Sequence, residues 1–294
     1  MVEDNTRQHI IPQAYLKWFA QKNKKGNYYV KVTLKSNDKT FTKSIREVGY
    51  KRNYYNVSQR KDDKHWEKYF SQNIEPFYGD PLRNIITKIM LTSDNYKAEV
   101  LTKEDKKILS KLIVFQLLRT PIFLNRQLNK ADYISNESKK ELLLKFGQQL
   151  NNRSKKELLN VKMSQDEAKD IALETISNDQ LLEKFSDVLI GKIWCIYLNK
   201  ASTSFVTSDN PVIMYNCVSK KIGYDGIGRN DTFIYFPLTS YILIQLIPDI
   251  SLTQVYKSVD GILQYITDIK FINSVNNFQK RNSDEIYQLP KWDE

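Results

Sequence analysis

The sequence predicts an α+β protein, with a helical middle packed on a mainly antiparallel C-terminal sheet and with a helix and a β-hairpin at the N-terminus. Three observations predict it. From Asp62 to Leu189 apolar residues recur at helical spacing, behind residues suited to cap helix starts. After Gly191 the pattern changes to short β-branched and aromatic runs separated by turn residues. Near the N-terminus, two such runs flank the polar turn Ser36-Asn37-Asp38-Lys39.

The elements follow in order. Pro12 suits the first turn of a helix, and Tyr15, Leu16 and Phe19 then share one apolar face. That leaves His9 in an extended lead-in. Tyr28 to Leu34 and Thr40 to Ile45 form the hairpin, and a short strand is expected around Tyr54 to Val57. Asp62-Asp63 opens a helix through Trp66, Tyr69, Phe70 and Ile74. Thr102, with Glu104 and Asp105 behind it, caps a long helix that ends before Pro121. More helix follows Pro121, broken near Asn151-Asn152-Arg153. Ser164 and Glu167 have capping-box spacing for a helix from Gln165 to Leu189. The strand runs are Ile193 to Leu198, Phe205 to Thr207, Val212 to Tyr215, Thr232 to Phe236 and Tyr241 to Ile247. Gly223 to Arg229 is a glycine-bearing loop, and Thr267 to Arg281 a final helix.

A chain of 294 residues buries a substantial core. Without a repeat or low-complexity linker, residues 1–294 read as one large domain, with a helix-rich lobe 1–190 and a β-rich lobe 191–294. No apolar run reaches the ~18–20 residues that span a bilayer, and no signal-type segment opens the chain. No membrane partner and a cytoplasmic setting are therefore expected. Cys195 and Cys217 do not form a CxxC pair, so no disulfide framework is implied. The net charge of +11 favours phosphate-rich partners, nucleic acid above all. Basic residues nonetheless read as scattered among acidic ones, and abundant Lys, Asn and Ile also fit an AT-rich coding bias.

Chemistry is suggested only by uncommon polar residues inside apolar segments, because a polar group buried alone is costly. His9, before a helix N-terminus, would be held neutral by the helix dipole and able to act as base or ligand, or else cap the helix. Glu67 and Glu75 are two turns apart on a continuous helix; they suit a divalent metal or split acid and base roles, or a solvated face. Gln116 and Arg119 lie on a helix with almost no polar face. A guanidinium there needs a carboxylate such as Glu75 or Asp209, or a substrate phosphate. Ser208, Asp209 and Asn210 precede Pro211 between two strands, a turn-forming run that also places a carboxylate at a strand end. No P-loop, HExxH, zinc-type cysteine spacing or GxSxG elbow is present.

These residues carry a resemblance. Gln8-His9-Ile10-Ile11-Pro12-Gln13-Ala14-Tyr15-Leu16, Asn53-Tyr54-Tyr55, the Glu-bearing helix pair, Gln116 to Pro121 and Thr207 to Val212 resemble, in order, the domain-of-unknown-function 4238 family of largely bacterial proteins. The resemblance implies an accessory or defence-associated gene of mobile elements, a pointer towards a nucleic-acid-directed toxin or effector.

The leading expectation is thus a bacterial effector that hydrolyses a phosphodiester. His9, Glu67, Glu75 and Asp209 would be its catalytic or metal groups, and Gln116, Arg119, Ser208 and Asn210 its substrate contacts. The rival expectation is a non-catalytic sensor or partner-binding protein, with a protein or nucleic-acid partner, whose polar cluster is a buried structural network.

Overall fold

The structure is a computed structural model that describes residues 7–290, except 59, 63, 93, 96, 161–163 and 224–225. Asp63 of the expected helix start, and Tyr224 and Asp225 of the glycine-bearing loop, lie outside the described residues.

An N-terminal strap opens the fold. β1 (Arg7–His9) leads into α1 (Gln13–Leu16), continued by a 3-10 turn over Lys17–Phe19. Then come β2 (Gln21–Lys22), β3 (Tyr28–Leu34), β4 (Thr40–Ser44) and β5 (Tyr50–Arg52). The hairpin is as expected, with Asp38 at its turn in the left-handed region at φ 53°. The strand expected at Tyr54 to Val57 lies instead at Tyr50–Arg52, paired antiparallel with β1. Asn53, at φ 51°, turns the chain out of extended geometry and sends Tyr55 into the core. Gly49 (φ 64°) fixes the strap. Its carbonyl accepts from the amides of Ile10 and Ile11, and a Cβ there would meet Ile11 Cβ at 3.1 Å.

The helices are α2 (His65–Asn73), α3 (Asp80–Leu91), α4 (Lys103–Leu118), α5 (Pro121–Phe146), α6 (Asn152–Asn160), α7 (Gln165–Ile176) and α8 (Asp179–Ile190). Thr102 caps α4 as expected, in a capping box with Asp105, and the capping box expected at Ser164 forms. Two expected continuous helices are broken. The first stops at Asn73, because Pro76 cannot continue an α-helical ladder, and Glu75 opens a 3-10 turn. The second is split at Ser177 and Asn178, where the Asn178 side chain caps α8 by accepting from the Leu181 amide. The helix α3 has no counterpart in the sequence analysis.

The β-rich part contains β6 (Ile193–Asn199), β7 (Thr207–Ser208), β8 (Ile213–Asn216), β9 (Thr232–Pro237), β10 (Ile242–Ile247), β11 (Leu263–Ile266), α9 (Ile269–Arg281) and β12 (Glu285–Gln288). One sheet has the order β11-β6-β10-β9-β8, antiparallel except where β11 runs parallel to β6. Every residue of its middle strand β10 is buried. The other sheet, β2-β3-β12-β7 with β4 on β3, joins the N-terminal hairpin to the last strand. One contiguous apolar core runs from Ile10, Tyr15 and Phe19 through the leucines of α4 to Phe236 and Tyr287. Full burial of each such side chain contributes about 1.5–3 kcal/mol.

Among the described residues no single helix is long and apolar enough to cross a membrane. The pair α4 and α5 passes by length and composition together, but is bent by 62° where they meet, and α4 is deep in the core.

Candidate functional site

The strap is laid across the C-terminal end of α4, and polar groups bind the two together. Gln116 and Arg119 lie in the last turn and C-cap of α4, both essentially without solvent exposure. Gln116 donates to the Ile10 carbonyl at 3.3 Å and accepts from the Tyr78 hydroxyl at 3.2 Å. Arg119 donates from Nη2 to the His9 carbonyl and from Nε to the Tyr55 hydroxyl at 3.1 Å. Glu75 is a looser partner, 3.8 Å from Nη2, with its side chain 42% exposed. The guanidinium also lies over the Phe70 and Tyr55 rings, 5.3 and 5.9 Å from their centroids. Only Nη1 is without a hydrogen-bond partner among the described residues.

Gln8, one residue before His9, is equally central. Its amide nitrogen donates to Asn56 and, at 3.1 Å, to Glu67, while its oxygen accepts from the Tyr55 amide. Glu67 and Glu75 therefore do reach one neighbourhood, through Gln8 and Arg119, although they lie on separate elements. His9 itself is half-buried. Burial first, then the charges of Arg119 and Arg7, lower its pKa from the usual 6.5 to about 4, so the ring is neutral near pH 7. The Gln13 amide nitrogen lies 3.3 Å from Nε2; an amide nitrogen only donates, so in this orientation the ring proton sits on Nδ1.

Ser208, Asp209 and Asn210 belong to a second cluster. Asp209 Oδ1 accepts from the amides of Asp284, at 3.1 Å, and Glu285, at 3.4 Å. Burial outweighs these bonds and, helped by the neighbouring acids Asp284 and Glu285, pushes its pKa up to about 7. Ser208 donates to Gln279 of α9 at 2.6 Å, and Asn210 to the Asn282 carbonyl at 3.0 Å. Neither hydrogen bonds nor ion pairs link Asp209 with His9, Glu67, Glu75 or Arg119 among the described residues. A partial bridge is Tyr15, whose hydroxyl binds Thr207 at 2.8 Å and the Pro237 carbonyl at 2.6 Å.

Gln116 and Arg119 are the network members expected from the sequence, whereas Gln8, Tyr15 and Tyr55 join it beyond that expectation. All three lie in the quoted motifs. Gln8 beside His9, and a doubled Tyr after Asn53, were the available signals. Among the described residues, no group of three or more His, Cys, Asp or Glu side chains is placed to hold a metal ion.

Net charge is unevenly distributed along the chain. Residues 7–56 carry twelve Lys and Arg against two acids, Asp38 and Glu47, a net of +10 where the whole chain has +11. The net positive charge is therefore concentrated on the strap and the N-terminal sheet, while the other 33 basic residues are interspersed with 32 acids.

Fold and clusters together define an α+β protein in which a basic N-terminal strap is locked to a central helix. The chain belongs to the family described as Protein of unknown function (DUF4238), whose model matches residues 7–289. No curated protein and no solved structure matches it.

Proposed function

We propose that this chain is a nucleic-acid-binding effector of a bacterial cell, of the defence or toxin kind, and that the Arg119 network is a lock that holds its basic surface in place. The observation that carries this is the division of cations. Those of residues 7–56 lie mainly on the surface, whereas Arg119 is sealed and directs its donors to His9, Tyr55 and Glu75. A sealed guanidinium already bonded to its own chain is better suited to holding the strap than to clamping a phosphate. The surface cations supply the counterion release that drives binding to phosphate backbones. Binding of labelled nucleic acid should weaken steeply and linearly in log[salt], and binding that ignores salt would refute the proposal.

A second reading, phosphodiester hydrolysis, is favoured by one observation: a half-buried imidazole, neutral near pH 7, lies beside a network whose rim bears Glu67 and Glu75. His9 would act as base, and the two carboxylates as acid or as metal ligands. Asp209 has no hydrogen bond or ion pair with this set among the described residues, so the reading rests on the other three. Expression of wild type beside His9→Ala tests it, with cell growth and nucleic-acid integrity as readouts. Equal growth and intact nucleic acid in both strains would remove it.

A further inference from the structure

Two clefts open between the strap, the hairpin and the start of α3, and they share Lys17 and Tyr28. One, of about 330 Å³, is lined by Trp18, Tyr28 and Arg83. The other, of about 260 Å³, runs past Gln13 and Asn27 to Ser44 and Arg46. Neither is lined by an acidic residue. Lys17 Nζ lies 5.5 Å and Lys22 Nζ 5.9 Å from the centre of the Tyr28 ring, which gathers two ammonium groups at the junction. Lys17, Lys22 and Arg46 have no ion-pair partner among the described residues, while Arg83 pairs with Asp80 at 2.8 Å on an exposed turn.

We infer that this pair of clefts is a binding site for single-stranded nucleic acid. The inference rests on the nucleic-acid-binding proposal above and locates its site. Lys17, Lys22 and Arg46 take successive phosphates along the groove, and an unstacked base enters against Trp18 and Tyr28. Cations interleaved with aromatic rings are what single strands require, because every base offers a π-face and every linkage a charge. Each cleft is at or below the small end of the ~300–1,000 Å³ range of ligand pockets, so it suits a nucleotide and not a rigid duplex. Gln13 and Asn27 line the second cleft and can offer hydrogen bonds to sugar or base edges.

The test uses the full chain and labelled oligonucleotides roughly 12 nucleotides long, inside the ~4–16 nucleotide range of common single-strand sites. Single-stranded DNA, single-stranded RNA and a duplex of the same sequence are compared. The double variant Lys17→Glu/Arg46→Glu alters exposed side chains. Its control, Lys140→Glu/Lys145→Glu on α5, makes the same change in net charge elsewhere. The site variant should bind single strands at least roughly tenfold more weakly, with a salt slope reduced by about 1.4 for two lost phosphate contacts. The control should bind nearly as wild type does. Tyr28→Ala, checked for folding by circular dichroism, should lose roughly tenfold by removing the stacking wall. Equal losses in site and control variants would overturn the site while leaving nucleic-acid binding intact. Duplex bound as tightly as single strands would overturn the stacking role. Wild type that binds none of the probes at low salt would remove the underlying proposal and the site with it.

Discussion

The strap cluster around Arg119 and the turn around Asp209 handle buried charge in opposite ways. At the strap a cation is kept charged inside the protein by neutral acceptors, the His9 carbonyl and the Tyr55 hydroxyl, with Glu75 at the rim. Beside it a base, His9, is kept neutral. At the turn an acid receives two backbone N–H bonds, yet burial and neighbouring acids still hold its pKa near 7. Both regions fasten segments distant in sequence: strap to helix in one, the 208–210 turn to α9 and β12 in the other. A polar residue in an apolar segment thus marks a fastening point, and its charge state follows from what the joined segments bring to it.

The largest effect separating the two regions is expected at Arg119. Arg119→Ala opens a cavity and strands the His9 carbonyl and Tyr55 hydroxyl, and should cost roughly 3–5 kcal/mol in urea unfolding. Arg119→Leu refills most of the volume and should cost less. Ala and Leu variants as stable as wild type would break the contrast with Asp209.

A smaller loss, about 1–3 kcal/mol, is expected for Gln8→Leu, which leaves the buried Tyr55 amide without its acceptor. Ser208→Ala should fall in the same range, because it removes the bond to Gln279 and the acceptor of the Asn210 amide. If only one of the pair destabilises, fastening is confined to one region.

The pH dependences should have opposite signs. His9 has a folded pKa near 4, below its usual 6.5, so the unfolded chain binds more protons between these values. Its contribution is complete above about pH 6.5 and is lost as pH falls towards 4. Asp209 has a folded pKa near 7, above the ordinary 3.8, so the folded chain holds the extra proton. Its contribution is complete below about pH 3.8 and is lost as pH rises through 7. Asp209→Asn should therefore raise the melting temperature relative to wild type more at pH 8 than at pH 5. His9→Gln should flatten the acid side of the profile. A gain for Asp209→Asn that is the same at both pH values would mean that the carboxyl is not held protonated.

The smallest effect, under about 1 kcal/mol, is expected for Glu75→Gln, since a 3.8 Å pair with a 42% exposed carboxylate is well screened. A larger loss would promote Glu75 from rim to core partner.

Much of the fold was legible in the sequence, because cap spacing and apolar periodicity are local: the caps at Thr102 and Ser164, the hairpin, α4 and the strands from β6 to β10 follow from them. The misses have physical causes. The helix carrying Glu67 ends at Asn73 because Pro76 forbids its continuation. The strand β12 is four residues whose only justification is the two strands that flank it, β3 and β7. Without β12 the backbone partners of Asp209, the amides of Asp284 and Glu285, could not be named. Gln8 was hidden because its role depends on a loop, Tyr55-Asn56, brought near by pairing between β1 and β5. The segregation of charge was in the sequence throughout, and only the fold shows that these residues share one strap and sheet.

Amide hydrogen exchange in wild type and Arg119→Leu tests the lock most directly. The lock predicts that the Ile10 and Ile11 amides, bonded to Gly49, lose protection by more than roughly tenfold. Amides of the β6–β10 pairing, such as Ile196 and Ile244, should stay at wild-type protection. Unchanged protection at Ile10 and Ile11, or an equal loss across strap and sheet, would contradict a local lock.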